Sequence, residues 1–206
     1  MKKFFITGTD TDVGKTLVSA VFTYALQATY WKPIQSGSSD QAVVRDLTGF
    51  SDAHFHPTQY AFRASLSPDQ AALLENRTID LTTCQLPETM RPLIIEGAGG
   101  VFVPLNEEAC MLDLMKQFAI PVVIVSRGKL GTINHTLLSI EALRRRDIPI
   151  QGVVFSGELN PDNQAAIEKW GNVKTLFHLP NFSSVTPAVM QDWAVQNQQH
   201  IQESLQ

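Results

Sequence analysis

Short apolar runs rich in β-branched and aromatic residues recur along this chain, and between them the apolar positions spread out at helical intervals. Lys3–Thr7 reads as a buried strand and Thr16–Ala28 as a helix. Tyr30–Lys32 is a short strand stopped by Pro33. Leu93–Ile95 predicts a third strand with a charged end, Leu112–Phe118 a helix, and Pro121–Val125 a strongly β-branched strand. Between His135 and Arg146, Leu137, Leu138, Ile140, Ala142 and Leu143 keep helical spacing. Strands are predicted at Ile150–Phe155 and Val173–Leu179, helices at Ala165–Trp170 and Val189–Gln196. Buried strands alternating with amphipathic helices imply an α/β fold: a mostly parallel sheet with helices on both faces. Ligands of such sheets lie beyond the C-terminal ends of the strands, so the chemistry is sought in the residues that follow each strand. Gly49–Glu88 is the least regular stretch and predicts a surface excursion. With no repeat, low-complexity tract or linker, residues 1–206 are expected to form one domain.

Composition narrows the class. Of the 206 residues, 44% are hydrophobic and 17% charged, which is globular rather than disordered. The formal net charge of -4 offers no basic surface for nucleic acid. The one dense basic cluster, Arg144-Arg145-Arg146, falls at an expected helix C-terminus, where positive charge is favoured. No apolar run reaches the roughly 18 residues of a membrane span. The apolar start at Phe4-Phe5-Ile6 breaks at Thr7-Gly8-Thr9-Asp10, too early for a secretion signal. Cys84 and Cys110 have no metal spacing and are expected to be two buried thiols. A cytoplasmic location without disulfides is therefore expected.

Candidate chemistry begins after the first strand. Gly8-Thr9-Asp10-Thr11-Asp12-Val13-Gly14-Lys15-Thr16 runs straight into a helix, the arrangement of a phosphate-binding loop. Gly14 allows close approach of the backbone, successive N–H groups form an anion nest, and the helix dipole adds positive potential. Lys15 supplies charge to the outer phosphates and Thr16 a hydroxyl for magnesium. Five residues separate Gly8 from Gly14, where the common pattern has four.

Three further segments follow strand ends. Glu96-Gly97-Ala98-Gly99-Gly100 is an acidic strand tip followed by an expected glycine-rich turn, suited to magnesium and close approach of a ligand. Lys32-Pro33-Ile34-Gln35-Ser36-Gly37 places a second lysine at the edge that carries Lys15, with Asp40 shortly after as a further metal ligand. By local sequence alone, Lys32 is a surface lysine and Asp40 a helix N-cap. Gly128-Lys129-Leu130-Gly131-Thr132-Ile133-Asn134-His135 enters a helix whose start could hold an anionic group, or where Asn134 is simply the cap. His54 and His56 bring no third ligand with them.

These four segments, in this order, resemble the dethiobiotin synthetase family, and the match spans nearly the whole chain, including the extra residue in the phosphate loop. The resemblance implies a P-loop containing nucleotide hydrolase fold. It also implies a magnesium-dependent ligase that joins 7,8-diaminopelargonic acid and CO2 (or bicarbonate) at the expense of ATP. The products are dethiobiotin, ADP and phosphate. By the same resemblance, Lys15 and Lys32 are catalytic, and Asp12, Val13, Gly14, Lys15, Thr16 and Leu17 cradle the phosphates. Thr16, Asp40 and Glu96 hold the metal, while Gly97, Ala98 and Gly99 lie along the nucleotide. Thr11, Ser36, Ala98 and Gly99 touch the diamine. Leu130, Gly131 and Asn134 reach its carboxylate, in a homodimer with the substrate near the subunit interface. Pro180, Asn181 and Phe182 lie at the base. Neither nucleic acid nor membrane is an expected partner.

Departures accompany the likeness. The family often has Glu where Asp12 stands, and the link Gln27-Ala28-Thr29-Tyr30 is several residues short. Ser156-Gly157 replaces an Asn-Asp pair that reads adenine, which predicts a loosely held base. Two other readings stay open on the residues: a different P-loop amidoligase, or a nucleotide-dependent switch ATPase of similar fold. Such switches usually carry an additional early lysine where this loop has Thr9-Asp10-Thr11-Asp12.

Overall fold

The computed structural model describes residues 2–206. Its elements, in chain order, are β1 (Lys3–Gly8), α1 (Lys15–Ala25), β2 (Thr29–Trp31), β3 (Ile34–Ser36), α2 (Asp40–Thr48), β4 (Phe55–His56), β5 (Tyr60–Phe62) and α3 (Pro68–Leu74). These are followed by β6 (Leu93–Gly100), α4 (Met111–Phe118), β7 (Val122–Arg127), α5 (Thr132–Arg145), β8 (Ile150–Ser156), α6 (Pro161–Gly171), β9 (Thr175–Leu179), α7 (Pro187–Gln196) and α8 (Gln198–Ser204).

Seven strands form one sheet in the order β4-β2-β6-β1-β7-β8-β9, and every pairing in it is parallel. Alternation along β1 shows why both faces are covered. Phe4 and Ile6 join the cluster of Val18, Phe22, Val44 and Met190, under α1, α2 and α7. Phe5 between them joins the opposite cluster of Met115, Phe118, Leu143 and Ile167, under α4, α5 and α6. The sheet is thus buried on both sides, as the alternating pattern predicts.

A second, two-stranded sheet pairs β3 with β5. It is clipped to the main body where the backbone N–H groups of Gln59 and Tyr60 donate to Pro33 O, at 3.1 and 2.9 Å. Residues 49–88, expected as a surface excursion, therefore contribute β4 to the main sheet and β5 and α3 to a wall beside β3.

Several boundaries differ from expectation. The first helix ends at Ala25, and Gln27 takes a left-handed φ of 51°, so the reading to Ala28 was too long. The glycine-rich stretch after Glu96 is not a turn but the end of β6, which runs to Gly100 and pairs Gly100 with Gly8. The helix expected from His135 begins at Thr132. Arg144 and Arg145 occupy its exposed last turn, as expected. Cys84 is fully buried, but Cys110 is only half-buried, with its thiol 3.2 Å from Asp113 Oδ2, so one of the two thiols departs from expectation. Among the described residues, no helix is long and apolar enough to cross a membrane.

Candidate active site

The end of β1 turns sharply into the phosphate loop. A side chain at Gly8 would meet Val13 Cγ2 at 2.6 Å, so the loop folds back over a bare backbone. Val13 plugs the apolar layer beneath, 4% exposed. Gly14 is the residue before α1 and takes φ 98°, a left-handed conformation open to glycine. A Cβ there would also collide with the Ser156 side chain at the end of β8. Lys15 Nζ bends back to donate to Asp10 O at 2.9 Å. Burial, and then the neighbouring Lys32 charge, pull its pKa down to about 8. A phosphate chain in the loop would offer this ammonium a stronger partner than a carbonyl.

Next to the loop lies a compact charged cluster. Lys32 is 3% exposed, buried rather than on the surface. Its Nζ lies 2.7 Å from Asp40 Oδ2, 3.0 Å from Glu96 Oε1 and 3.0 Å from Gly97 O. Burial opposes its charge, yet Glu96 and Asp40 outweigh burial and hold its pKa above the ordinary lysine value. Burial likewise opposes ionised Asp40, but Lys32 and the bonds from Lys32, Thr16 and Gln35 hold its carboxyl below the ordinary range. Asp40 is the first residue of α2; the N-cap is Ser39, whose side chain accepts from Ala42 N, so the cap reading of Asp40 is replaced by an ion pair. The shortened link before β2 leaves Lys32 beside its partners.

The Thr16 hydroxyl stands 3.1 Å from Asp40 Oδ1 and 3.0 Å from Glu96 Oε1. A hydroxyl and two carboxylates converging at the mouth of a phosphate loop are an all-oxygen donor set of the kind that suits magnesium. Glu96 is the more deeply buried of the two acids, and its other oxygen accepts from the Tyr30 hydroxyl at 3.0 Å. Tyr30 escaped the sequence reading, although period-two alternation puts it on the same side as Lys32.

These groups open on one cavity of about 790 Å³. It brings together Thr11, Asp12, Gly14, Lys15, Thr16, Leu17, Lys32, Ser36, Asp40, Glu96, Ala98 and Gly99 of the residues expected from sequence. Gly97 joins them through the carbonyl bonded to Lys32. Gln35, Ser38, Ser65, Leu66, Ser67, Pro68 and Val103 line it as well and were not expected. Gln35 has a visible purpose: its side chain accepts from Asp40 N at 3.0 Å and donates to Ser38 O at 2.6 Å, which shapes the loop before α2. Ser65 packs against Gly37, where no side chain would fit.

Leu130, Gly131 and Asn134 do not reach this cavity; all three are exposed at the start of α5. Gly131 is the residue before that helix, so the cap reading of Asn134 does not hold. Pro180, Asn181 and Phe182 follow β9, also outside the cavity. Phe182 packs edge-on against Trp193, and Asn181 Oδ1 lies 3.4 Å from where a Gly157 side chain would begin. His178 Nε2 donates to Gly157 O at 2.6 Å. Ser156 and Gly157 therefore connect the Pro180–Phe182 segment to Gly14.

The chain's similarities agree with this geometry. A family model described as an AAA domain matches residues 2–189. Among solved structures, the septum site-determining protein MinD of Pyrococcus horikoshii, complexed with Mg-ADP, superposes with a TM-score of 0.57 at 12% identity, covering 99% of this chain and 93% of that one. At that identity the likeness speaks for the fold alone, a P-loop fold. The biotin biosynthesis bifunctional protein BioCD of Bordetella avium is 48% identical over 93% of this chain, which spans 42% of that protein's length. The ATP-dependent dethiobiotin synthetase BioD of Paramagnetospirillum magneticum is 47% identical over 92% of this chain and 93% of its own. Identity at that level over more than nine-tenths of both chains makes this chain a member of the ATP-dependent dethiobiotin synthetase family.

Proposed function

We propose that the chain is an ATP-dependent ligase that carboxylates 7,8-diaminopelargonic acid with CO2 and closes the ureido ring of dethiobiotin, releasing ADP and phosphate. The observation that carries this reading is the position of Lys32: an ammonium buried beside the phosphate loop, on the wall that continues to Ser36. Family membership favours it over another amidoligase or a switch ATPase.

The reaction asks for positioning and charge rather than a nucleophilic side chain. One amine adds to CO2 and loses a proton, giving a carbamate. A carbamate oxygen attacks the γ-phosphorus, the bond to the β-phosphate oxygen breaks, and a mixed carbamic–phosphoric anhydride forms with ADP. The second amine then attacks the carbonyl carbon and loses a proton to solvent as inorganic phosphate leaves. Lys15 and Lys32 flank the transferring group and offset its negative charge. The Asp12–Leu17 backbone binds the phosphates. Thr16, Asp40 and Glu96 would hold magnesium, which neutralises phosphate charge when bound. Ser36, Thr11 and the Ala98–Gly99 backbone are assigned to the diamine. Leu130, Gly131 and Asn134 are assigned to its carboxylate across a homodimer interface, a placement supported by their exposure in the single chain. Residues 1–206 are taken to work as one ligase domain, with the base beside Pro180–Phe182.

Purified protein given diaminopelargonic acid, bicarbonate, Mg2+ and ATP should form dethiobiotin, detected by mass. ATP hydrolysis indifferent to the diamine, with no dethiobiotin formed, would refute the proposal.

A further inference from the structure

The two oxygens of Glu96 have different surroundings. Oε1 faces the cavity cluster, meeting Thr16 and Lys32 at 3.0 Å each. Oε2 is turned into the protein, where the Tyr30 hydroxyl donates to it at 3.0 Å. Tyr30 has no exposed surface, and its ring packs edge-on against Phe55. It projects from β2, the strand next to β6, with Tyr30 opposite Ile94.

A glutamate side chain can swing its carboxylate and present either oxygen, or both. A hydrogen bond from a donor that packing holds in place removes that freedom. Glu96 is 1% exposed, and its inner oxygen would be left without a donor if Tyr30 lacked its hydroxyl. Asp40, with a side chain 27% exposed, is held by Lys32 and Thr16. Glu96 is the more deeply buried arm of the donor set, and Asp40 the more exposed one.

We propose that Tyr30 is a positioning residue for the metal site: it clamps Glu96 Oε2 so that Oε1 alone is presented, as a one-oxygen ligand, beside Thr16 and Asp40. The inference rests on Glu96 being a magnesium ligand, as assigned above, and names the residue that sets its geometry.

Tyr30→Phe keeps the ring and deletes the donor. Mn2+ is the probe, and its binding to the protein–ADP complex is read from the spin-resonance signal of free Mn2+; ADP binding in EDTA is measured in parallel. The variant should bind Mn2+ about tenfold or more weakly, the usual effect of losing an outer-shell partner, with ADP binding in EDTA unchanged. Glu96→Gln is the reference and should lose more. Wild-type Mn2+ binding in Tyr30→Phe, with loss in Glu96→Gln, overturns the clamp and leaves Glu96 as a ligand. Wild-type binding in Glu96→Gln overturns both. A second measurement needs no substitution at Tyr30. The chain has three tyrosines, so 3-fluorotyrosine labelling gives three fluorine resonances, assignable through Tyr24→Phe and Tyr60→Phe. The Tyr30 resonance should move when Mg2+ is added to the ADP complex; an unmoved resonance overturns the proposal.

Discussion

Lys32 Nζ and Thr16 Oγ1 meet at the same oxygen of Glu96, each 3.0 Å from it. A group assigned to the reaction and a group assigned to the metal therefore share one acceptor, and Asp40 repeats the sharing through its two oxygens. Lys32 offsets part of the negative charge of these two carboxylates.

Lys32→Ala is expected to separate binding from turnover. The phosphate loop is untouched, so ADP affinity should stay near wild type while dethiobiotin formation is abolished. Removing the ammonium also leaves Glu96 and Asp40 without their cation. In EDTA the variant should lose about 3 kcal/mol of stability, the scale for breaking a buried pair. Mg2+ should restore more stability to the variant than it adds to wild type. Thermal melts with and without metal test the second part, and wild-type turnover would remove Lys32 from the mechanism.

Gly14→Ala is expected to damage the loop twice. The left-handed φ costs an alanine roughly 1–2 kcal/mol, and the new methyl meets Ser156. The double variant Gly14→Ala/Ser156→Gly relieves the collision but not the backbone cost, so it should recover only part of the lost ADP affinity. Calorimetric titration of both variants with ADP reads the difference.

Ser156 and Gly157 occupy the place where a base-reading pair was expected, and Gly157 has no side chain to offer. Kinetics with ATP, GTP and CTP should give kcat/KM values within about tenfold of one another, because a site without a dedicated hydrogen-bond pair discriminates weakly. Strict preference for ATP would count against the loose-base reading, and Asn181 would be the first residue to test.

Asp113, in the first turn of α4, accepts from Cys110 N at 2.8 Å and from Arg146 at 2.7 Å. Burial works against its charge, but the bonds from Cys110 and then Arg146 prevail and hold its carboxyl below the ordinary range. Its stabilisation is complete above the ordinary aspartate value and fades as pH falls through the lower folded value. Asp113→Ala should therefore cost about 1 kcal/mol near neutral pH, a typical capping loss. Urea titrations should show that gap narrowing below about pH 4.

The sequence was most readable where strands are central. The apolar runs of β1, β7 and β8 are buried on both faces, so packing and propensity agree there. It was least readable around residues 34–74. There β3, β4 and β5 are only two or three residues long, too short for any period to show. Their pairing is decided by long-range contacts such as Gly37 N to Phe62 O. The same limit applied to the site. Lys15 and Thr16 follow a strand that declares itself and Glu96 lies within another, and the cavity brings them together. Ser65 and Ser67 come from the illegible stretch. Leu130 and Asn134 were judged from a loop whose helix starts earlier than its apolar spacing suggested.

Trp31 directly precedes Lys32, is 2% exposed, and donates its indole N–H to Pro57 O at 3.1 Å. Trp170 stands 73% exposed on α6. The third tryptophan, Trp193, is half-buried, so in a Trp193→Phe background the emission of the other two should separate by wavelength, the buried indole to the blue. The chain thus carries an intrinsic optical gauge next to Lys32, its proposed catalytic lysine, which would let ligand arrival there be timed in stopped flow without any label.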